Sequence, residues 1–463
     1  MSVSRHIVVI GAGITGLTTA HHLTAAACRV TVLEASDRLG GLLHTRHLHG
    51  YTVDVGAEAM HVGSPAVSSL LAEVGLAESV ATARRGTSWL WTSRGRRPLP
   101  AGVTPAGPTK LLPVLKSRVM SPLGLLRAGL EPVLPRPALP AHHDVSVGDF
   151  VAGRFGREVA ERLVDPLLGS LHAGDIKQLG LRSCAPSLVP AAESGRSLLR
   201  RRRPTAASPA SPAPSPAVKR GPALMSFISW AAGLATVPEA IAQGLDVRLN
   251  SAAASLVRQG EGWTVHCVDG TWVEADAVVL AVPLAVARRL LAEHVDDSIF
   301  AGHSTASVAT LVAAFPRTTL AAHGLGETNG LLIPSRHGST LKAATFLSNK
   351  WDHFADAEHA LVRMSVGRAG SEDVVTRADE AVADRALADL ATFTGLRTTP
   401  EWVHVERWPH AMPQLTVGHT ARLAALREAL PAGLVVAGAS YDGLGITSCL
   451  VSAAQAATQL AGR

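Results

Sequence analysis

The chain has 463 residues, of which 47% are hydrophobic and 17% charged, so it can bury the cores of two or three domains. Its net charge of +6 is local, because residues 196–224 carry seven Arg or Lys and no acidic residue, and this excludes a basic nucleic-acid-binding face. Four scattered cysteines without a CxxC pair exclude a dithiol or thiolate metal site and are typical of a reducing compartment.

The first predicted element is a buried strand, HIVVI, which runs into the sequence GAGITG. A helix, LTTAHHLTAAA, and a second strand, RVTVLEA, complete a βαβ unit. In this context Gly11 permits a tight turn, Gly13 lets the backbone approach a pyrophosphate, and Gly16 lets the helix pack close to the strand. The helix N-terminus then offers free N–H groups to phosphates. The predicted phosphate-binding residues are Gly11, Ala12, Gly13, Ile14, Thr15 and Gly16.

The second strand ends at Glu34, whose carboxylate can accept hydrogen bonds from both ribose hydroxyls and would repel a 2′-phosphate. Arg38 follows and can neutralise phosphate, and a glycine pair lets the backbone pass close to a cofactor larger than NAD, which favours FAD. A stretch of small residues, GAEA, repeats this approach shortly afterwards. The predicted cofactor residues here are Glu34, Ala35, Arg38, Gly40, Gly41, Gly56, Ala57, Glu58 and Ala59.

The middle of the chain divides into a helical and a strand-rich region. Residues 144–168 are predicted to form a helix, with Ser146 and Asp149 at the spacing of a capping box. The stretch 201–222 is basic and rich in Pro, Ala and Ser, so it cannot bury enough apolar surface to order itself, and we expect an exposed loop. Two strands joined at a turn of Asp269 and Gly270 and a third strand, AVVLAV, follow.

The last elements are a strand, LVVAG, and a helix that follows the glycine-rich sequence GASYDGLGITSCL. The local sequence supplies no partner for these glycines, so we expect the strand to lie beside the first βαβ unit. Gly443, Gly445 and Ile446 are then predicted to meet the flavin, and a helix starting at Ser448 to direct its N–H groups toward it. The nucleotide-binding unit is therefore interrupted by other material and completed at the C-terminus.

The signature GxGxxG followed by E-x3-R-x-G-G resembles that of the flavin-containing amine oxidase and protoporphyrinogen oxidase superfamily. Within it, four further stretches resemble the bacterial protoporphyrinogen and coproporphyrinogen III oxidases, in the same order and over essentially the whole chain. They are SVGDFVAGRFGREVAERLVDPLLGSLHAGD, LVRMSVGRAG, VERWPHAMPQLTVGH and AGASYDGLGITSCLVSAAQAA.

The resemblance implies an α/β fold: a Rossmann-like FAD-binding domain built from discontinuous segments, a mixed-sheet substrate domain and a helical subdomain that often meets a membrane. We expect a cytoplasmic protein, because no apolar run approaches the ~20 residues that span a bilayer, and peripheral membrane contact stays open as an alternative. The predicted boundaries are 1–80, 223–290 and 406–463 for the FAD-binding domain, 90–200 for the helical subdomain, 201–222 for the loop, and 291–405 for the substrate domain.

The resemblance also implies the reaction. An FAD oxidase of this family converts a porphyrinogen to the porphyrin in haem biosynthesis, with O₂ as the final acceptor; hydride passes to the flavin, and no catalytic side chain or metal is needed. No cysteine lies near WPHAMPQ, so the FAD is expected to be non-covalent. The implied roles are substrate propionate binding for Arg97, pocket walls for Phe346 and Trp351, adenine contact for Val247, and proximity to the isoalloxazine for Trp408.

Several alternatives stay open at this point. Coproporphyrinogen III ranks first as substrate, from the resemblance to high-GC Gram-positive relatives, with protoporphyrinogen IX second. An amine oxidase or desaturase, or a non-catalytic flavoprotein, comes third. Departures from the family pattern lie at Ala231, Ala232, His172 and Thr447. The basic loop is interpreted as a tolerated insertion, the alternative being contact with an anionic lipid or the next enzyme of the haem pathway.

Overall fold

The structure consists of two units, and each is built from segments that lie far apart in the sequence. The computed structural model describes residues 4–62, 64–135, 137–199, 227–355 and 357–462. Unit 1 holds the described residues within 1–82, 225–304 and 420–463, and unit 2 holds those within 83–224 and 305–419. The predicted loop at 201–222 lies outside the described residues.

The elements are numbered in chain order. The strands are β1 His6–Ile10, β2 Arg29–Leu33, β3 Thr45–Leu48, β4 Tyr51–Asp54, β5 Met60–His61, β6 Ala81–Thr82, β7 Thr87–Thr92, β8 Gly95–Pro98, β9 Val103–Thr104, β10 Gly107–Pro108, β11 Phe227–Ser229, β12 Asp246–Arg248, β13 Ala253–Gln259, β14 Gly262–Cys267, β15 Trp272–Ala275, β16 Ala277–Leu280, β17 Ser304–Pro316, β18 Thr328–Leu332, β19 Leu341–Phe346, β20 His359–Val366, β21 Trp402–Gln414 and β22 Leu434–Val436.

The α-helices are α1 Ile14–Ala25, α2 Pro65–Glu73, α3 Leu111–Ser117, α4 Pro122–Gly129, α5 Val147–Phe155, α6 Arg157–Val159, α7 Ser170–His172, α8 Leu181–Cys184, α9 Val189–Ser194, α10 Thr236–Ala242, α11 Leu284–Leu290, α12 Thr319–Ala322, α13 Leu347–Lys350, α14 Asp379–Thr394, α15 His419–Ala429, α16 Ala439–Asp442 and α17 Ile446–Ala461. A π-helical stretch spans Ala160–Gly169, and 3₁₀ turns span Pro186–Leu188, Asp297–Phe300, Ser335–His337, Asp352–Phe354 and Asp373–Thr376.

A parallel sheet of five strands runs through the described part of unit 1 in the order β12-β2-β1-β16-β22. A parallel sheet is normally covered on both faces, so its strands consist of nearly continuous apolar runs. β1 fits this rule, because Ile7 and Val9 enter one core while Val8 and Ile10 enter the other. Helices α1 and α17 belong to the first core, and β13–β15 with α11 and α15 belong to the second.

The C-terminal elements differ in two details from the sequence prediction. β22 pairs with β16, so β16 separates it from β1, and the expectation that this strand lies directly beside the first βαβ unit was wrong. Helix α17 begins at Ile446 rather than at Ser448. Strand order is a tertiary property that the local sequence does not encode, whereas helix ends fray and so vary by one or two residues.

Unit 2 contains a mixed sheet of seven strands among its described residues, in the order β21-β17-β20-β19-β18-β7-β8. β18 and β7 run parallel, while β7 with β8 and β18 with β19 run antiparallel. Helix α14 packs on one face through Val382, Ala386 and Leu390. On the other face, Leu90 and Leu332 contact the core formed by the helices of the 111–194 region.

The predicted helix at 144–168 is present but broken. Ser146 caps α5, and its hydroxyl accepts a hydrogen bond from the Asp149 N–H at 2.9 Å, as the capping spacing predicts. The helix ends at Gly156, where φ is 95° and a Cβ atom would lie 2.7 Å from Arg127 Cγ. A positive φ cannot continue an α-helix, so α6 and the π-helical stretch form a separate segment.

The unit boundaries also differ from the predicted domain boundaries. The region expected to be helical from residue 90 begins with β7 and β8, and its helices begin at Leu111. β21 belongs to the sheet of unit 2, so residues 406–419 fall in unit 2 rather than in the third FAD-binding segment. Across the described residues, no helix combines the length and apolar character required to cross a bilayer.

Candidate functional site

The carboxyl ends of the parallel strands in unit 1 bring the predicted cofactor residues to one edge of the sheet. β1 ends before Gly11, β2 ends before Glu34, and β22 ends shortly before Gly438. Ligands of open α/β sheets bind at this edge. The five-stranded sheet therefore brings the three glycine-containing loops together, although they come from opposite ends of the chain.

The glycines of the first loop fall into two kinds. A Cβ at Gly11 would lie 2.6 Å from the Ala281 carbonyl oxygen, and one at Gly16 would lie 1.9 Å from the Gly11 carbonyl oxygen, so the packing of the protein itself requires both glycines. A Cβ at Gly13 would meet no atom within 4 Å, and its φ of −71° suits any residue. Gly13 therefore leaves open space beside the start of α1, where no side chain caps the helix.

Glu34 and Arg38 hold the loops of this edge together. Glu34 Oε2 accepts a hydrogen bond from the Ala12 N–H at 2.7 Å, and Oε1 accepts one from the Ser36 N–H at 2.9 Å. Arg38 donates to the carbonyl oxygens of Leu39 and Gly41 at 3.2 and 2.8 Å. The two residues predicted to contact ribose and phosphate thus also position backbone within the site.

The second glycine pair lies directly against the first loop. The Gly40 N–H donates to the Ala12 carbonyl oxygen at 2.9 Å, and a Cβ at Gly41 would lie 3.3 Å from Gly13 Cα. Gly56 is required by the protein, because its Cβ would lie 2.0 Å from the Leu42 carbonyl oxygen.

The remaining predicted residues of unit 1 lie near these loops along the chain. Ala35 follows Glu34, while Ala57, Glu58 and Ala59 follow Gly56. Val247 lies in β12 at the edge of the sheet, paired with Val32. The cofactor contacts of Val247 and of the residues after Gly56 stay predictions.

The C-terminal elbow, Gly438–Gly445, closes the same edge. Gly438 has a φ of 116°, and a Cβ there would lie 3.1 Å from Thr15 Oγ1 in the first turn of α1. Asp442 accepts two hydrogen bonds from Arg427 at 2.9 Å and one from Ser452, which itself accepts from the Gly438 N–H. This network fixes the elbow against α15 and α17.

Gly443 and Gly445 complete the elbow in different ways. Gly443 has a φ of 123°, which favours glycine whatever surrounds it. Gly445 has a φ of −68°, and a Cβ there would meet only Ser448 Oγ at 3.8 Å, so the protein has no need of glycine at this position. Like Gly13, it stands directly before a helix without a side-chain cap. Free N–H groups beside two such glycines suit a ligand that carries phosphates and a flat ring.

The residues predicted to bind substrate lie in unit 2. β7 and β8 pair with Arg97 opposite Leu90, and directly opposite residues share a face, so Arg97 lies on the face away from α14. Within the described residues the Arg97 side chain makes no hydrogen bond or ion pair, and its Nε is buried. Buried polar atoms are nearly always paired, so Arg97 Nε is an exception within the described residues, and the substrate contact of Arg97 stays a prediction.

Phe346, Trp351 and Trp408 occupy buried positions in unit 2. Phe346 is 0% exposed and belongs to the core beneath α14. Trp351 is buried too, with Lys350 Nζ 5.0 Å from its ring centroid, and the contact of both residues with substrate stays a prediction. Trp408 lies in β21, and its proximity to the flavin stays a prediction.

Two features of unit 2 escaped the sequence analysis. Lys342 is a buried lysine in β19. Arg368 follows β20 and is the last residue of the sequence SVGR, for which the sequence predicted no individual role. Burial is a tertiary property, so only the isolated lysine between strand-forming residues could have indicated the first. His172, noted as a departure, is buried with Nδ1 3.9 Å from Cys184 Sγ, and burial lowers the pKa of His172 to about 4.

A discontinuous parallel sheet with a glycine-lined edge defines a dinucleotide-binding oxidoreductase of the flavoprotein class. The family model of the flavin containing amine oxidoreductases matches residues 14–461. The chain therefore belongs to this family, and its cofactor is FAD.

Similar proteins carry narrower names. The chain is 33% identical to the coproporphyrinogen III oxidase of Mycobacterium leprae, over 98% of this chain and 97% of that protein. It is 30% identical to the protoporphyrinogen oxidase of Homo sapiens, over 99% and 98%. Among solved structures, a "Putative protoporphyrinogen oxidase" from Exiguobacterium sp. 255-15 aligns with a TM-score of 0.83 at 26% identity, over 100% of this chain and 99% of that one.

Proposed function

We propose that the protein is an FAD-dependent oxidase that converts coproporphyrinogen III to coproporphyrin III in haem biosynthesis, with O₂ as the final electron acceptor. The observation that carries the proposal is Arg97, whose side chain makes no hydrogen bond or ion pair in the described structure and which lies on the face of the unit 2 sheet away from α14. Porphyrinogens carry propionates, and arginine binds carboxylates through two parallel hydrogen bonds. The name of the Mycobacterium leprae relative supports the same substrate.

The residues of this chain bind and orient, while the cofactor supplies the chemistry. When bound, FAD provides the acceptor for hydride from a bridging carbon of the macrocycle. Gly13 and Gly445 leave the space in which backbone meets that cofactor without covalent attachment. Arg97 fixes one edge of the substrate by its propionate. No acid, base or metal-binding side chain is assigned to the reaction.

Protoporphyrinogen IX is the second candidate substrate, because the human and Exiguobacterium relatives bear protoporphyrinogen oxidase names. An amine oxidase or desaturase activity is supported only by membership of the flavin containing amine oxidoreductase family. A non-catalytic flavoprotein is the remaining alternative. Porphyrin fluorescence distinguishes all of these: purified holoprotein receives each porphyrinogen in turn with oxygen, and a rise with neither would refute the proposed function.

The role of Arg97 is tested in the same assay. Arg97→Ala should raise the KM for the porphyrinogen by roughly 10- to 100-fold, the range of a lost charge-assisted hydrogen bond, with flavin content unchanged. Arg96 is the matched control, because it lies on the opposite face of β8 with its guanidinium 5.8 Å from the Trp89 ring centroid. Equal KM values for wild type and Arg97→Ala would exclude the propionate contact.

We further propose that the protein works in the cytoplasm and touches a membrane through α3 and α4. Leu123 and Leu126 are 78% and 62% exposed on α4, and Leu112 and Leu115 are exposed on α3. Residues 101–130 contain no Asp or Glu, and the exposed side chains of Lys110, Lys116 and Arg118 flank the leucines. Apolar side chains ringed by basic ones match an anionic lipid surface.

Vesicle sedimentation tests this contact. The wild type should bind phosphatidylglycerol vesicles at low salt and phosphatidylcholine vesicles more weakly, and the double variant L123D/L126D should lose both. Val268→Asp is the control, since Val268 is 72% exposed on the β14–β15 turn of unit 1. Unchanged binding of the double variant would refute the surface. Deletion of residues 197–220 tests separately whether the basic loop contacts lipid or the next enzyme of the pathway.

A further inference from the structure

Unit 2 contains a cation cluster, defined as the buried Lys342 and the half-buried Arg363 and Arg368. Lys342 is 3% exposed, and it lies at a register irregularity between β19 and β20. Within the described residues its ammonium makes no hydrogen bond or ion pair. Burial, and to a smaller extent the charges of Arg368 and Arg363, lower the pKa of Lys342 to about 7.

Arg368 is almost as poorly paired as Lys342. Its Nη2 donates to the Ile333 carbonyl oxygen at 2.9 Å, while Nε and Nη1 are buried without a partner in the described structure. The Ile333 N–H donates to the Lys342 carbonyl oxygen at 3.0 Å, so the Ile333 peptide links the two residues. Burial lowers the pKa of Arg368.

The nearby carboxylate does not neutralise this cluster. Asp165 accepts hydrogen bonds from the Ser335 N–H at 2.7 Å and from the Ser335 hydroxyl at 3.0 Å. Its charge acts on Arg368, but no ion pair joins the two among the described residues. Lys342 and two nitrogen atoms of Arg368 are therefore positively charged groups without a hydrogen-bond partner in the described structure, and such groups persist mainly where a ligand completes them.

Sheet register relates this cluster to Arg97. Arg97 pairs with Leu90, Leu90 with Leu332, and Leu332 with Ala343, the residue after Lys342. The backbone of Lys342 therefore lies three strand spacings from that of Arg97, roughly 14 Å at ~4.8 Å per strand. That separation suits two carboxylates on opposite sides of one tetrapyrrole.

We propose that Lys342 and Arg368 bind a carboxylate that coproporphyrinogen III carries and protoporphyrinogen IX lacks, so that they determine substrate choice. The inference rests on the proposed porphyrinogen oxidation. Coproporphyrinogen III has four propionates, whereas protoporphyrinogen IX has two and carries vinyl groups at the other two positions. A site for the former therefore needs more cations than Arg97 supplies, and a vinyl group gains nothing from a buried ammonium.

The test measures both substrates with the holoprotein of Lys342→Met and Arg368→Gln. The KM for coproporphyrinogen III should rise at least 10-fold and that for protoporphyrinogen IX less than 3-fold. Without substrate, Lys342→Met should unfold at the same temperature as wild type or higher, because it relieves buried like charges. Lys177→Met is the control for loss of a lysine, since Lys177 is exposed.

Two results would overturn the inference. Equal KM changes for the two substrates would mean that the cluster does not bind the additional carboxylates of coproporphyrinogen III. A lower unfolding temperature of Lys342→Met with an unchanged substrate ratio would assign it a structural role. If wild type oxidises neither porphyrinogen, the proposed function fails. Carboxylate binding by the cluster can still be measured in that case, from the quenching of coproporphyrin III fluorescence by the protein. Equal binding by wild type and Lys342→Met would then reject the carboxylate site.

Discussion

Gly13 and Gly445 allow a sharp test of the cofactor site, because neither glycine is required by the protein. Their φ values of −71° and −68° suit any L-amino acid. A Cβ at Gly13 meets no atom within 4 Å, and one at Gly445 meets only Ser448 Oγ at 3.8 Å. Each Gly→Ala substitution therefore adds one methyl group to open space beside a helix N-terminus.

The free energy of unfolding of the apoprotein should change by less than about 0.5 kcal/mol. Alanine gains ~0.4–1 kcal/mol by restricting the unfolded chain, and it loses a similar amount as a poorer N-cap than glycine. The added methyl group would occupy the space in which the protein backbone is expected to contact the cofactor. We expect the Kd for FAD to rise about 100-fold, which corresponds to about 2.7 kcal/mol.

The assay is the ratio of flavin to protein absorbance after purification, followed by FAD titration and thermal unfolding of the apoprotein. Gly153→Ala serves as the matched control, because a Cβ there also meets nothing within 4 Å but lies in α5 of unit 2. Gly16→Ala should lose folding as well as FAD, since its Cβ would lie 1.9 Å from the Gly11 carbonyl oxygen. Wild-type FAD content in Gly13→Ala would refute the reasoning.

Two further predictions concern unit 2. The pKa of buried His172 is about 4 in the folded protein and ~6.5 in the unfolded chain. The unfolded chain therefore binds a proton first, so the free energy of unfolding is unaffected by His172 above pH 6.5 and decreases as the pH falls toward 4. Urea titrations should therefore show wild type losing about 2 kcal/mol more than His172→Gln between pH 8 and pH 5, and equal losses would contradict the pKa. Ser146→Ala removes the cap of α5 and should cost about 1 kcal/mol, whereas an unchanged urea midpoint would mean that the cap is dispensable.

The opening half of the candidate cofactor site could be located from the sequence because its signals are local. Gly11, Gly13 and Gly16 sit between an apolar strand and a helix, and packing requires Gly11 and Gly16, whereas the pyrophosphate contact of Gly13 stays a prediction. Glu34 was expected to meet ribose, but its hydrogen bonds to the Ala12 and Ser36 N–H groups could not be foreseen. Such contacts depend on how two loops cross, which spacing alone does not determine.

The substrate side was less accessible from sequence because its information lies in burial and strand order. Aromatic residues seemed the natural walls of a macrocycle pocket, yet Phe346 faces α14, since β19 alternates and its neighbours point the other way. The burial of Lys342 could not be predicted, because a lysine in a strand is ordinarily exposed. The helix expected to run through 144–168 ends at Gly156, whose φ of 95° cannot continue an α-helix.

The order of strands explains why the two ends of the chain form one site. In a parallel sheet every strand places its carboxyl end on the same edge, so β1 and β22 need not be neighbours for their loops to meet. β16 stands between them, and its continuation supplies the Ala281 carbonyl oxygen that demands glycine at position 11. Gly438 then reaches Thr15 in the first turn of α1, while Asp442 and Ser452 secure the elbow to α17. The candidate site thus combines loops from both ends of the chain, and its backbone is held by contacts between residues hundreds of positions apart.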